Sequence, residues 1–137
     1  MKKAIITGST GLVGSCVARK LMSCGVEVLC LGRQKLTGEE TISFFGEKTK
    51  YISLEMSQIS DLEKKTELAS WTTGDDCVFF HFAWGGKDSL TDGNFSLQMD
   101  NAVWAANAVK IAKRLKCRKF VNAGSLEEAF VERCLLT

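Results

Sequence analysis

The chain has 137 residues, of which 45% are hydrophobic and 25% charged, and a formal net charge of +2. That length suits one domain, residues 1–137, with a sizeable core. So small a charge gives no footing for nucleic acid or an acidic membrane surface. No apolar run approaches the ~20 residues that span a bilayer, and Met1-Lys2-Lys3 leads into only a short apolar stretch, so no membrane anchor or leader is expected.

The first predicted strand, Lys3–Thr7, runs into Thr7-Gly8-Ser9-Thr10-Gly11-Leu12-Val13-Gly14 and then a helix-period segment, Leu12–Ser23. Each glycine of the turn has a separate task. Gly8 permits the tight bend, Gly11 leaves room for a pyrophosphate, and Gly14 lets the helix lie close to the sheet. The helix start then presents unpaired amides and a positive dipole end to an anion. A second β-branched strand follows at residues 26–31, between Gly25 and Gly32. Strand, glycine turn, helix and strand together point to a bound dinucleotide cofactor.

Where that second strand ends, NAD binders place an acid for the ribose 2′-hydroxyl, but Gly32 stands here and Arg33 follows. A missing carboxylate and a bidentate guanidinium favour a 2′-phosphate, hence NADP(H) over NAD(H). Residues 34–50 are polar and without clean period, and are predicted as a loop with a short strand or turn. A third strand is predicted at residues 51–54 and a helix at residues 59–69, with Ser60-Asp61 at its start. A fourth strand follows at residues 77–82 and a long Ala-rich helix at residues 95–115. A fifth strand at Lys119–Asn122 and a last helix at residues 127–135 complete the order. Alternating strands and helices imply a doubly wound parallel α/β sheet, with ligands beyond the carboxyl ends of the strands.

His81, the single histidine, lies among phenylalanines and is predicted to be buried and paired with backbone, not catalytic. Trp71 and Trp104 read as packing residues, and Trp84-Gly85-Gly86 as a flexible loop on the substrate side. Cys16, Cys24, Cys30, Cys77, Cys117 and Cys134 include no C-x-x-C pair. They read as buried thiols of a reducing compartment, which makes the cytoplasm the expected location, with neither disulfides nor a metal site. The basic residues from Lys110 to Lys119 read as a solvated helix end.

The G-x-x-G-x-x-G spacing with its leading Thr-Gly resembles the extended branch of the short-chain dehydrogenase/reductases, which holds sugar-nucleotide epimerases, dehydratases and reductases. Cys77 to Ala83, Asp100-Asn101 and Lys119 to Ser125 are similar to later segments of that family, so the likeness covers Met1 to about Phe130. It implies a Rossmann-type sheet in which Gly8, Thr10, Gly11, Leu12, Val13, Gly14 and Arg33 meet the cofactor. It adds Glu55-Met56, in place of the usual Asp-aliphatic pair, at the adenine, Phe82-Ala83 at the nicotinamide-side ribose, and Ala123. Asn101, counted with the cofactor site, is implied to bind backbone and hold the catalytic strand in register, a surface polar residue being the other reading, and Ser125 is implied to hydrogen-bond the substrate. Ser125 could equally cap a helix, since Glu128 gives capping-box spacing.

The family's Tyr-x-x-x-Lys pair is missing, because the one tyrosine is Tyr51. The chain therefore reads as the amino-terminal, cofactor-binding part of a longer enzyme, ending before the catalytic helix. By itself it is expected to bind cofactor without turnover, the nucleotide-sugar substrate belonging to the full enzyme. A non-catalytic dinucleotide-sensing module is the other reading, while a methyltransferase-like binder fits neither the glycine spacing nor Ser125. An incomplete sheet would expose apolar surface, so self-association, as in a homodimer, is expected.

Overall fold

The computed structural model describes residues 1–47, 49–65, 68, 71, 73–86, 95–124 and 133. Strands β1 (Lys3–Thr7), β2 (Glu27–Gly32), β3 (Lys50–Ser53), β4 (Cys77–His81) and β5 (Lys119–Asn122) form one parallel sheet in the order β3-β2-β1-β4-β5. Ile5 stands opposite Leu29 on one side and Phe79 on the other. Strand order reverses at β1, so the carboxyl end of β1 opens a crevice between the connections leaving β2 and β4.

The helices α1 (Leu12–Ser23), α2 (Gly38–Phe45) and α3 (Phe95–Arg114) cover the sheet together with a 3-10 run, Met56–Lys64. Because successive strand residues face opposite sides, β1 feeds two cores. Ile5 joins Leu29, Leu31, Ile52, Phe79, Ile59, Leu62 and Ile111 on the side of α3 and the 3-10 run. Ala4 and Ile6 join Val28, Cys30, Ala18 and Phe45 on the side of α1 and α2. Each fully buried Leu, Ile or Phe contributes about 1.5–3 kcal/mol, which is how so short a chain sustains a sheet with both faces covered. The architecture is that of a doubly wound, Rossmann-type sheet.

Strand β1, helix α1 and strand β5 keep their predicted bounds, β2 and β3 slide by one residue at both ends, and β4 and α3 end one residue earlier than predicted. Two segments differ in kind. Residues 34–50, predicted as a loop, contain α2, started by a capping box. There the Glu40 amide donates to the Thr37 hydroxyl at 3.2 Å, and the Thr37 amide donates to the Glu40 carboxylate at 2.7 Å. The helix predicted at residues 59–69 is a 3-10 run that starts at Met56, and residues 66, 67 and 69 lie outside the described part. Ile59 and Leu62, three apart, eclipse in 3-10 geometry and are both fully buried. Asp61 does not start this segment but pairs with Lys64 inside it, at 2.7 Å. The helix predicted at residues 127–135 also falls outside the described residues, apart from Arg133.

The thiols correct a further expectation: Cys30 and Cys77 are buried, but Cys16 and Cys24 are exposed and Cys117 half-buried. Cys16 lies within α1 and Cys24 at its C-cap, and Cys134 lies outside the described residues.

Gly14 lies directly beneath the Gly8 carbonyl, and a Cβ there would collide with that oxygen. Gly14→Ala should therefore lower stability by about 1–3 kcal/mol in urea denaturation. Gly38→Ala serves as the control, because a Cβ there meets nothing within 4 Å. Equal midpoints for the two variants would contradict the close approach of α1 to the turn.

Candidate functional site

The turn from β1 into α1 lies on the carboxyl edge of the sheet. Gly8 has a φ of +66°, in the left-handed region, and a Cβ there would lie 2.7 Å from the Ala83 amide nitrogen. Only glycine combines that backbone with so close a neighbour. The N-cap of α1 is Gly11, in extended backbone, with no side-chain cap and no acid in the first turn. The opening amides of a 12-residue helix therefore keep their positive end available to an anion. Ser9 fastens the turn to β2, since its amide and hydroxyl both donate to the Leu31 carbonyl, at 3.1 and 3.0 Å.

The Thr7 hydroxyl fastens the other side. It accepts the amides of Phe82 and Ala83 at 3.2 and 3.3 Å and lies 2.8 Å from His81 Nδ1. An oxygen that already accepts two hydrogen bonds is best used as a donor to the third partner, which makes Nδ1 an acceptor and puts the imidazole proton on Nε2. Burial pushes the His81 pKa down, in the direction of the same neutral form. His81 is buried as expected, but its partner is a side-chain hydroxyl, not backbone.

These contacts frame a cleft of about 380 Å³. Gly8, Thr10 and Gly11 line it from the turn, Gly32 and Arg33 from the end of β2, and Leu54, Glu55 and Met56 from beyond β3. Residues 82–86 close it beyond β4, with Leu97 and Trp104 of α3 behind them. Of the residues singled out in the sequence, Gly8, Thr10, Gly11, Arg33, Glu55, Met56, Phe82 and Ala83 thus converge on one cleft. Leu12, Val13 and Gly14 belong to the first turn of α1 without lining it; Leu12 and Val13 are exposed and Gly14 is buried. Ala123 lines a second cavity of about 480 Å³ with His81, Asn122 and Gly124, which shares Phe82, Ala83 and Trp84 with the first. Ser125 lies outside the described residues.

Asn101 is buried and binds backbone, but the backbone is that of Gly85, not of the fifth strand. Its Oδ1 accepts the Gly85 amide at 2.7 Å and its Nδ2 donates to the Gly85 carbonyl at 2.8 Å. Gly85, expected in a flexible loop, is therefore held at both main-chain groups. A Cβ on it would also press the Trp104 ring at 3.1 Å and Leu97 at 3.2 Å. Trp104 is thus a cleft residue as well as a packing one. Leu97, Asn101 and Trp104 repeat at helical spacing, a signal in the sequence that the apolar reading of Trp104 concealed. Trp71 is buried, and Lys3 lies over its ring at 5.2 Å from the centroid.

With the cleft defined, comparison with known proteins identifies its class. The model of the NAD dependent epimerase/dehydratase family matches residues 4–130, and the chain belongs to that family. No curated protein sequence matches the chain. Among solved structures it is similar to a UDP-galactose 4-epimerase, at 22% identity and a TM-score of 0.68, over 90% of this chain and 38% of that one. It is also similar to the UDP-glucose 4-epimerase of Thermotoga maritima solved with UDP-glucose, at 14% identity and a TM-score of 0.68, over 90% and 38%. A third likeness is to the Bordetella bronchiseptica enzyme WbmG in complex with NAD and UDP, at 18% identity and a TM-score of 0.66, over 87% and 36%. The chain thus spans 38% of the length of the first of these structures. Among the described residues no helix is long and apolar enough to cross a membrane.

The single imidazole offers a direct check of the Thr7 contact. Nitrogen-detected NMR should show the Nε2–H tautomer and a midpoint below the ordinary value of about 6.5. Between the folded and unfolded midpoints the unfolded chain carries the extra proton, so stability rises with pH across that window and is flat in this respect above it. A midpoint at or above the ordinary value, or a proton on Nδ1, would contradict the arrangement.

Proposed function

We propose that this chain holds the dinucleotide cofactor of an epimerase, dehydratase or reductase that acts on a nucleotide sugar, and that it takes NADP(H) in preference to NAD(H). The observation that supports this most is the uncapped start of α1 beside the crowded Gly8 bend, at the point where strand order reverses. The residues fit such a group. The amides around Gly11 suit a diphosphate, Arg33 with Glu55 and Met56 suits the adenosine side, and Phe82-Ala83 suits the nicotinamide-side ribose. Nicotinamide supplies hydride transfer; the chain supplies binding, orientation and a wall against water.

Arg33 carries the NADP(H) preference. Gly32 brings no carboxylate to repel a 2′-phosphate, and the guanidinium is exposed on the lip of the cleft. Ser125 is assigned to hydrogen-bond the substrate. A Tyr-x-x-x-Lys pair is absent from residues 1–137, which supports binding without turnover by this chain, as the cofactor-binding part of an enzyme of the family. The same absence supports the second reading, a dinucleotide-binding module without catalysis. Exposed Phe95, Met99 and Val103 repeat every fourth residue along α3 and support a homodimer. The reduced thiols suit the cytoplasm.

Calorimetry tests the central point. Both NADPH and NADH should bind, NADPH tighter by about tenfold, the worth of a charge-assisted bidentate contact, and Gly8→Val should abolish both. Absence of heat with either dinucleotide would overturn the proposal. Conversion of a UDP-sugar by the chain alone would refute binding without turnover.

A further inference from the structure

Strand β3 carries two hydroxyls two residues apart, Tyr51 and Ser53, and therefore on one face. Both reach the segment that leaves β2. The Tyr51 hydroxyl donates to the Gln34 carbonyl at 2.7 Å, and the Ser53 hydroxyl makes a longer contact, 3.5 Å, with the Arg33 carbonyl. The main chain adds a third tie, the Leu54 amide donating to the Gly32 carbonyl at 2.9 Å. Three successive carbonyls are thus held from the neighbouring strand, while the Arg33 side chain is left exposed at the cleft.

Tyr51 also fills space. A Cβ on Gly32 would lie 2.7 Å from its hydroxyl and 3.4 Å from the Thr10 hydroxyl. Position 32 is where an acidic side chain would reach a ribose 2′-hydroxyl, and any side chain there would have to displace the phenol from its bond to Gln34. Burial, with Cys30 beside it, pushes the phenol up to about 12, so it remains a hydrogen-bond donor at neutral pH.

We infer that Tyr51, assisted by Ser53, is the positioning residue that sets which 2′-substituent the site accepts: its hydroxyl crowds position 32 and fixes the backbone from which Arg33 meets a 2′-phosphate. This rests on the NADP(H) preference proposed above and explains what enforces it. A tyrosine that only filled the core would stabilise the fold without distinguishing the two dinucleotides. A tyrosine that aims Arg33 acts on NADPH and spares NADH.

The experiment titrates NADPH and NADH, with 2′,5′-ADP and 5′-AMP as the corresponding fragments, into the 137-residue chain and its Tyr51→Phe, Ser53→Ala, Arg33→Ala and doubly substituted Tyr51→Phe/Arg33→Ala forms. Tyr51→Phe is expected to weaken NADPH and 2′,5′-ADP about tenfold, the scale of a charge-assisted contact, and to leave NADH and 5′-AMP nearly unchanged. In the Arg33→Ala background the same substitution should leave the NADPH-to-NADH ratio where Arg33→Ala has put it, because the two residues act through one contact. An unchanged ratio in Tyr51→Phe, or equal weakening of both dinucleotides, overturns the inference while the wild-type preference stands. A wild-type chain that binds both equally overturns the preference and the inference together. Should thermal denaturation show that Tyr51→Phe does not fold, Ser53→Ala reads the same ratio, with about a threefold shift expected from its longer contact, and no shift there overturns the inference.

Discussion

The contact on which the rest depends is the close stacking of three backbone segments at Gly8. Its left-handed bend brings the chain against the Phe82-Ala83 peptide on one side, and its carbonyl against Gly14 of α1 on the other. Nothing larger than hydrogen fits in either gap. That crowding fixes where α1 begins, hence where its open amides lie, and it places the end of β4 beside them. Moved outward by a side chain, the helix start would lose its relation to the strand end that must face the same ligand.

Three polar side chains then hold the walls without entering the cleft's chemistry. Ser9 ties the turn to β2, Thr7 ties β1 to the first residues beyond β4, and Asn101 ties α3 to Gly85. Each is buried, so an unmade bond would cost about 1–3 kcal/mol. That penalty keeps the connections at the strand ends in one arrangement. Preorganisation of this kind reduces the ordering that a flexible dinucleotide site would otherwise demand on binding.

Much of this was legible in the sequence, for identifiable reasons. The glycine turn was readable because close backbone contacts demand glycine at positions 8 and 14, and the spacing between them is diagnostic. Strands β1, β2 and β4 were readable because burial on both faces makes them near-continuous apolar runs. Helix α2 escaped because residues 34–50 lack periodicity, although Thr37 and Glu40 stood at capping-box spacing. The 3-10 run escaped because Ile59 and Leu62, three apart, suit either helix type. Asn101 was recognised as a binder of backbone and assigned to the wrong segment, since a side-chain amide carries no record in sequence of the peptide it meets. Tyr51 was read only as a strand residue; its meeting with Gly32 and Gln34 arises from β2 and β3 lying side by side, which no local pattern states.

The titratable groups around the cleft share one tendency. Burial lowers His81, and it raises Tyr51 and Cys30 each to about 12, so all three are held uncharged at neutral pH. Charge at the lining is left to Arg33 and Glu55, both beyond the strand ends on the β2–β3 side. Uncharged groups packed behind the cleft leave its exposed cation, Arg33, and the open start of α1 as the features suited to an anionic, extended ligand.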